Sequence, residues 1–246
     1  MNIRILDDSP RSGWEELNAA LDDIYFTRSW YLLSRHIQAG DAYCFVFEQN
    51  GERACYPFFK VPIPGTALFD IQGAYGYNGV STSCYEGRFI RDFHRAFAEY
   101  CHNEQVVAEF TRFHPLTANH RFAAGGIQVH DLRDTVMVDL SMAYDDLWEG
   151  YTAANRNKIR KGRRLGLTIG EGLSPDDFQA AYRCYISSME AMGADDFYHW
   201  PEAYFSELAS WPSSRCLLLI AYHEGEVAGM AMFLFHRDLA HYHISA

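Results

Sequence analysis

The spacing of apolar residues in the first half of the chain changes from helical to strand-like near residue 40. Trp30, Leu33 and Ile37 recur three and four apart, which predicts a helix. β-rich runs then flank Gln49-Asn50-Gly51, and Asn-Gly between such runs predicts a tight hairpin. The predicted order is strand 3–6, helices 14–21 and 27–38, strands 43–48, 52–60 and 68–74, helix 88–101, and strands 106–110 and 127–129 after Gly125-Gly126.

The second half begins with a short apolar run, Val136–Leu140, which predicts a strand. Ser141 is predicted to cap a helix that continues through a basic segment to Gly166. Ser174-Pro175 has the composition of a helix start. The remaining predicted elements are strand 167–169, helices 174–192 and 201–211, and strands 216–222, 227–235 and 239–245.

The two halves resemble each other at a fixed offset of 174 residues. Gly51, Glu52 and Ala54 match Gly225, Glu226 and Ala228 as identities, and Trp30-Tyr31 falls on Tyr204-Phe205. Each half therefore has the order β–α–α–β–β–β, which indicates an internal duplication. The prediction is an α/β (α+β) fold with mixed central sheets flanked by helices, in two domains, 1–134 and 135–246.

Several short motifs in this order resemble one known family. They are Tyr75-Gly76-Tyr77-Asn78-Gly79-Val80, the segment Glu109–Leu116 with Asn119, Val138-Asp139-Leu140-Ser141 followed by Leu147-Trp148, Asn155-Arg156-Asn157-Lys158-Ile159-Arg160-Lys161, Met192-Gly193-Ala194, Tyr198, Tyr204-Phe205, and Tyr242–Ala246. Together with the duplicated order, they resemble the Fem family of peptidoglycan aminoacyltransferases and its FemAB-like relatives, which contain two GNAT-like domains. The resemblance covers nearly the whole chain.

The resemblance implies direct attack of an amine on an activated acyl carbon. The expected donor is aminoacyl-tRNA or acyl-CoA, with no tightly bound cofactor. The expected acceptor is a small-molecule or lipid-linked amine, such as a peptidoglycan precursor, and a tRNA acceptor end is a further expected partner. The expected location is the cytoplasm, including the inner membrane face. The chain ends after the fourth strand of its second domain, so that domain is expected to be incomplete. A non-catalytic muropeptide- or sugar-binding domain is for this reason an alternative to a transferase.

The resemblance also suggests catalytic positions. In this fold the oxyanion donor lies on the fourth strand, which corresponds to residues 242–245, so Tyr242, His243 and Ser245 are the catalytic candidates. His241 and His243 share a strand face, but no carboxylate with ligand spacing accompanies them, so no metal is predicted.

Charge and cysteine content narrow the function further. The net charge of −11 argues against wrapping DNA or another nucleic acid. No apolar run is long enough to predict a transmembrane segment. The six cysteines lack zinc spacing and are expected to be reduced thiols, with a Cys44–Cys55 disulfide as the alternative.

Basic residues are concentrated in one segment of this acidic chain. Six of the nine Lys and Arg residues from Thr135 onward lie between Arg156 and Arg164. Helical spacing places several of them on common faces, which would suit a diphosphate or a tRNA phosphate. Arg156, Lys158 and Arg160 are therefore substrate-binding candidates. The alternative is a solvated helix paired with Asp145, Asp146 or Glu149.

Four further residues are substrate-binding candidates in the first half. Tyr75, Tyr77 and Asn78 lie where the substrate loop is expected, and nearby glycines permit close backbone approach to a ligand. Arg112 follows the strand at 106–110. An ordinary aromatic-rich turn is the alternative for the tyrosines. Gly76-x-x-Gly79 lacks the fuller GNAT phosphate-loop pattern, so CoA binding is not predicted there.

Overall fold

The computed structural model describes residues 1–124 and 127–246. The chain divides into two compact units. Unit 1 comprises Met1–Asp131 with His236–Leu239, and unit 2 comprises Leu132–Phe235 with Ala240–Ala246. Within the described residues, every helix is too short or too polar to span a membrane. All six cysteines are free thiols.

Unit 1 contains one mixed sheet. Its strands are β1 (Asn2–Asp7), β2 (Asp41–Gln49), β3 (Glu52–Pro62), β4 (Phe69–Gln72), β5 (Ser81–Thr82) and β6 (Val106–Phe110). The order is β1-β2-β3-β4-β6, and β5 pairs with β3. Neighbouring strands are antiparallel except β4 and β6, which are parallel.

A hydrophobic core joins this sheet to a long amphipathic helix. The helices of unit 1 are α1 (Arg28–Ser34) and α2 (Gly87–Asn103), with 3₁₀ turns at Glu15–Ala20, Ile24–Phe26 and Asn119–Phe122. Phe89, Phe93 and Phe97 of α2 are buried against Phe45 and Phe47 of β2. The periodicity that predicted α2 is thus confirmed. The helix predicted at 14–21 is instead a 3₁₀ turn, and the helix predicted at 27–38 ends at Ser34.

Unit 2 contains a four-stranded sheet and four helices. Its elements are α3 (Tyr144–Gly150), α4 (Ala153–Arg164), β7 (Thr168–Gly172), α5 (Pro175–Met192), a 3₁₀ turn at Asp196–Tyr198, α6 (Glu202–Ala209), β8 (Cys216–His223), β9 (Glu226–His236) and β10 (Leu239–Ser245). The strand order is β10-β9-β8-β7. The helix start predicted at Ser174-Pro175 is confirmed, and Ser174 forms a capping box with Asp177 at the start of α5.

The predicted duplication is present in the structure. β3 at Glu52–Pro62 and β9 at Glu226–His236 are offset by 174 at both ends. Asn50 and Gly51 have φ of 54° and 86°, and Glu224 and Gly225 have φ of 52° and 87°. Both hairpins therefore use the same left-handed turn, and α1 and α6 precede them at the same offset. Residues 42–60 and 216–235 thus occupy equivalent topological places. The registers differ by a bulge at Ala221/Tyr222.

Two predicted strands are wrong. Val136–Leu140 forms no strand, and Val136 is 91% exposed. β7, which corresponds to the strand predicted at 167–169, pairs antiparallel with β8, as β1 pairs with β2. Ile127–Val129 is likewise irregular, and the Gly125-Gly126 turn lies outside the described residues.

The single helix predicted from Ser141 to Gly166 is also wrong. Tyr151 and Thr152 are extended, and they separate α3 from α4. Ser141 does not cap α3, because its hydroxyl and amide both bond the Asp139 carboxylate. The Thr152 hydroxyl caps α4 by accepting from the Asn155 amide.

Candidate functional site

The parallel strands β4 and β6 separate beyond their C-terminal ends. They stay paired as far as Gln72 and Phe110, and the next parallel contact joins Asn78 to Phe113. Five residues (73–77) therefore lie opposite two (111–112), and the chain after β4 bulges outwards as a loop. Ligand sites in sheets of parallel strands favour such points, because backbone groups there are released from strand pairing.

Asn78 lies buried at the point where the two segments meet again. Its amide nitrogen donates to the Ala74 carbonyl at 2.7 Å, and its amide oxygen accepts from the Arg112 amide at 2.6 Å. The structure therefore gives Asn78 a positioning task within the loop. Arg112 is held through its backbone, while its side chain is exposed.

The buried side-chain amide of Asn119 also connects the segments after β4 and β6, at a place called the junction below. Asn119 donates to the carbonyls of Asn78 and Val80 at 2.9 and 3.2 Å and accepts from the His114 amide at 2.8 Å. Its side chain thus ties the segment after β4 to the segment after β6. Because buried backbone groups need partners, this amide determines the geometry of both segments.

Tyr75 and Tyr77 are half-buried on the loop. The Tyr75 backbone is fixed by the Gln38 side chain, which accepts from its amide at 2.5 Å, and by the Trp30 indole, which donates to its carbonyl at 3.0 Å. Gly76 has φ of +100°, and a Cβ there would lie 2.4 Å from the Tyr25 ring. The loop therefore requires glycine for conformation and for space.

An aspartate–histidine pair lies beside the Tyr77 ring. Asp23 and His114 are both fully buried, and Asp23 Oδ2 is 3.3 Å from His114 Nε2. His114 Nδ1 faces the amides of Leu116 and Thr117, which donate to it, so the ring proton belongs on Nε2, the ring nitrogen nearer to Asp23. The Tyr77 and His114 ring centroids are 5.1 Å apart.

The buried surroundings of this pair keep the phenol of the neighbouring Tyr25 protonated. Burial, and then the charge of Asp23, raise the pKa of Tyr25 above its ordinary value. Tyr25 also packs edge-on against Tyr77 at 5.7 Å. Asp23 is not among the residues predicted from the sequence; its carboxylate also accepts from the Tyr25 amide and caps the 3₁₀ turn after it.

The opposite face of the β6 segment lines a cleft. Glu109, Thr111 and Phe113 alternate along the chain and reach this cleft together with Tyr56 of β3. The Tyr56 hydroxyl donates to Glu109 Oε1 at 2.5 Å and lies 2.8 Å from the Thr111 hydroxyl. None of these residues is among the catalytic or binding candidates predicted from the sequence. The polar pair Glu109 and Thr111, two residues apart at the end of an apolar strand, was the available signal.

The three catalytic candidates of unit 2 have different environments on β10. His243 is buried, and its Nε2 shares a hydrogen bond of 2.7 Å with the Tyr204 hydroxyl. Burial, and then the neighbouring His241, lower the pKa of His243 to about 3. Tyr242 is 64% exposed with its ring against Phe233, and Ser245 is half-buried. The backbone here belongs to an edge strand of the described sheet.

The basic residues of α4 divide into two groups. Arg156 donates through Nη1 to the carbonyls of Trp148 and Glu149 at 3.2 and 2.9 Å, and also to that of Tyr151. It therefore caps the C-terminus of α3, where a cation is favourable. Arg160 lies over the Trp148 ring, 5.5 Å from its centroid, and Lys158 is exposed. The carboxylates of Asp145, Asp146 and Glu149 form no ion pair with these cations within the described residues.

Comparisons with known proteins agree with the observed architecture. Residues 153–246 match a family model described as "Acetyltransferase (GNAT) domain". The crystal structure of FemX is similar to this chain with a TM-score of 0.70 and 10% sequence identity, over 100% of this chain and 80% of that one. A comparison of the sequence with curated proteins gave no match.

The family match supports an acyltransferase domain of the GNAT type at residues 153–246. The chain has a FemAB-like GNAT fold, which confirms the resemblance predicted from the sequence.

Proposed function

We propose that this protein transfers an acyl or aminoacyl group to an amine acceptor, and that the acceptor is a peptidoglycan precursor or a related cell-envelope intermediate. The observation that carries the proposal is the duplicated GNAT-like unit, whose two hairpins share one turn geometry at an offset of 174 residues. The FemX-like fold of the whole chain and the GNAT model over residues 153–246 support it.

Direct amine attack requires a deprotonated amine and donors for the developing oxyanion. β10 is a suitable source of donors, because some of its backbone N–H groups point away from β9, its neighbour in the described sheet. A histidine with a pKa of about 3 takes up a proton poorly at neutral pH. We therefore assign oxyanion binding to the backbone of residues 242–245 and a positioning role to His243, through its bond to Tyr204.

The solvated cations of α4 would hold phosphate. Lys158 is exposed, and Arg160 extends over Trp148, so both present charge to solvent on a chain of net charge −11. A nucleotide-linked or lipid-linked acceptor, or a tRNA acceptor end, carries the phosphate that such residues bind. Arg156 contributes indirectly, by holding α3 against the start of α4.

A CoA-dependent N-acyltransferase is the second candidate function. It is favoured by the family model, whose description is an acetyltransferase domain. Both candidates use the same amine attack and differ in the donor, aminoacyl-tRNA or acyl-CoA. Neither requires a tightly bound cofactor.

The test is transfer of radiolabel to a muramoyl-pentapeptide acceptor from alanyl-tRNA or from acetyl-CoA, measured with the purified chain. Transfer from either donor supports an acyltransferase and identifies the donor class. Binding of the acceptor without transfer from either donor would refute the proposal and indicate a binding protein.

Variants connect the activity to α4. Lys158→Ala with Arg160→Ala is expected to raise KM by roughly tenfold or more, because charge-assisted phosphate contacts contribute about 1.5–3 kcal/mol. The matched control is Arg183→Ala, which removes an exposed cation from α5. An equal change in both proteins would contradict a specific role for α4.

A further inference from the structure

The cleft of unit 1 between β6 and α2 contains an oriented carboxylate. Tyr56 and Thr111 both direct hydroxyl groups to Glu109 Oε1, at 2.5 and 3.2 Å. Burial, and then the charge of Glu109, raise the pKa of Tyr56 well above its ordinary value, so the phenol remains a donor. Two donors on one oxygen hold the carboxylate in a single orientation, which reduces the entropy lost when a ligand binds.

The Glu109 carboxylate has no cationic partner among the described residues. No lysine or arginine occurs among the described residues that line this cleft. The one other titratable ring, His94, donates from Nε2 to the Phe122 carbonyl at 2.7 Å. The second oxygen of Glu109, on a residue exposed to solvent, therefore remains available for a ligand.

The rest of the lining suits a small organic cation. Four phenylalanine rings line the cleft: Phe93, Phe97, Phe113 and Phe122. Aromatic rings attract cations and carry no charge that would compete for one. The free volume inside the cleft is about 20 Å³. That is room for about one water molecule or one ammonium head.

We propose that the Tyr56–Glu109–Thr111 cleft binds a primary ammonium group, with Glu109 as its counter-ion and the phenylalanine rings around it. An anion would meet an unneutralised carboxylate, and a diphosphate would find no cation among these residues. This inference goes beyond the proposed function, because it assigns an ammonium-binding site to unit 1, whereas oxyanion binding is assigned to residues 242–245 of unit 2. The site selects ligands that enter as the protonated cation.

The test is titration of the full chain, labelled with ¹⁵N, with ethylammonium chloride, followed by NMR. Ethanol serves as the neutral probe of similar size and acetate as the anionic one. Ethylammonium is expected to bind at least tenfold more tightly than ethanol, with shifts at the amides of Thr111 and Phe113. Glu109→Gln keeps an oxygen to accept from Tyr56 but removes the charge, and is expected to weaken binding by roughly tenfold or more.

The matched control is Glu99→Gln, which makes the same change on an exposed position of α2 and should leave binding unchanged. Equal binding of ethylammonium and ethanol by the unaltered chain would overturn the inference, and so would equal affinity in Glu109→Gln. Because the readout is binding, it separates the two proposals. Ammonium binding without acyl transfer would leave the cleft assignment standing while the proposed function fails.

Discussion

Removal of the Asn119 side chain is predicted to loosen the junction beyond β4 and β6. Asn119 is fully buried and makes three hydrogen bonds to the backbone, to His114, Asn78 and Val80. At roughly 1 kcal/mol net for each bond, Asn119→Ala should cost about 3 kcal/mol of unfolding free energy. Asn103→Ala, an exposed change at the end of α2, should stay within about 0.5 kcal/mol.

Asn119→Asp distinguishes the accepting role of the Asn119 side chain from its donating role. A carboxylate still accepts from the His114 amide, but it cannot donate to the carbonyls of Asn78 and Val80. The expected cost is therefore at least about 2 kcal/mol, with the bond to the His114 amide retained.

Urea unfolding measures the total loss, and hydrogen exchange locates it. In Asn119→Ala the His114 amide should exchange roughly 100-fold faster, since 3 kcal/mol corresponds to about two powers of ten. The His114 amide should be better protected in Asn119→Asp than in Asn119→Ala. Losses below about 1 kcal/mol in both variants would refute the conclusion that Asn119 determines this geometry.

Three other predictions each concern the surroundings of one residue. The pKa of His243 is about 3 in the folded state and ordinary in the unfolded state, so the unfolded state binds the extra proton. The unfolding free energy should therefore be full above about pH 6.5 and fall towards pH 3, by up to roughly 1.4 kcal/mol per pH unit. Urea titrations should show this slope reduced in His243→Gln and retained in His223→Gln. Arg156→Ala should cost about 1–2 kcal/mol by uncapping α3, whereas Lys158→Ala should leave the urea midpoint unchanged. Gly76→Ala should lower the melting temperature more than the same change in the β2–β3 turn, because only at Gly76 does a Cβ meet a ring; equal losses would contradict this.

Local signals in the sequence were sufficient for the repeated elements. The Asn50-Gly51 turn was predictable because few residue pairs adopt two successive positive φ values readily. The α2 helix was predictable because its phenylalanines recur at helical spacing. The duplication followed from the same turn occurring again 174 residues later. Each of these signals is a pattern within one short segment of the sequence.

The strand predicted at Val136–Leu140 shows the limit of such patterns. A short apolar run favours a strand, but it does not state whether a partner strand is available. In unit 2 the edge beside β8 is occupied by β7, and the apolar residues of this run remain exposed.

The sequence alone determined the order of elements, the duplicated unit and the resemblance to GNAT-type acyltransferases. Only the tertiary structure decided which side chains meet at the candidate sites. Asp23 with His114, Asn78 with Asn119, and Tyr56 with Glu109 are each brought together by the pairing of β3, β4 and β6 or by the loops beyond them. The physical reason is that a hydrogen bond between distant segments depends on strand register and loop path, and neither is encoded in the spacing of residues within one segment.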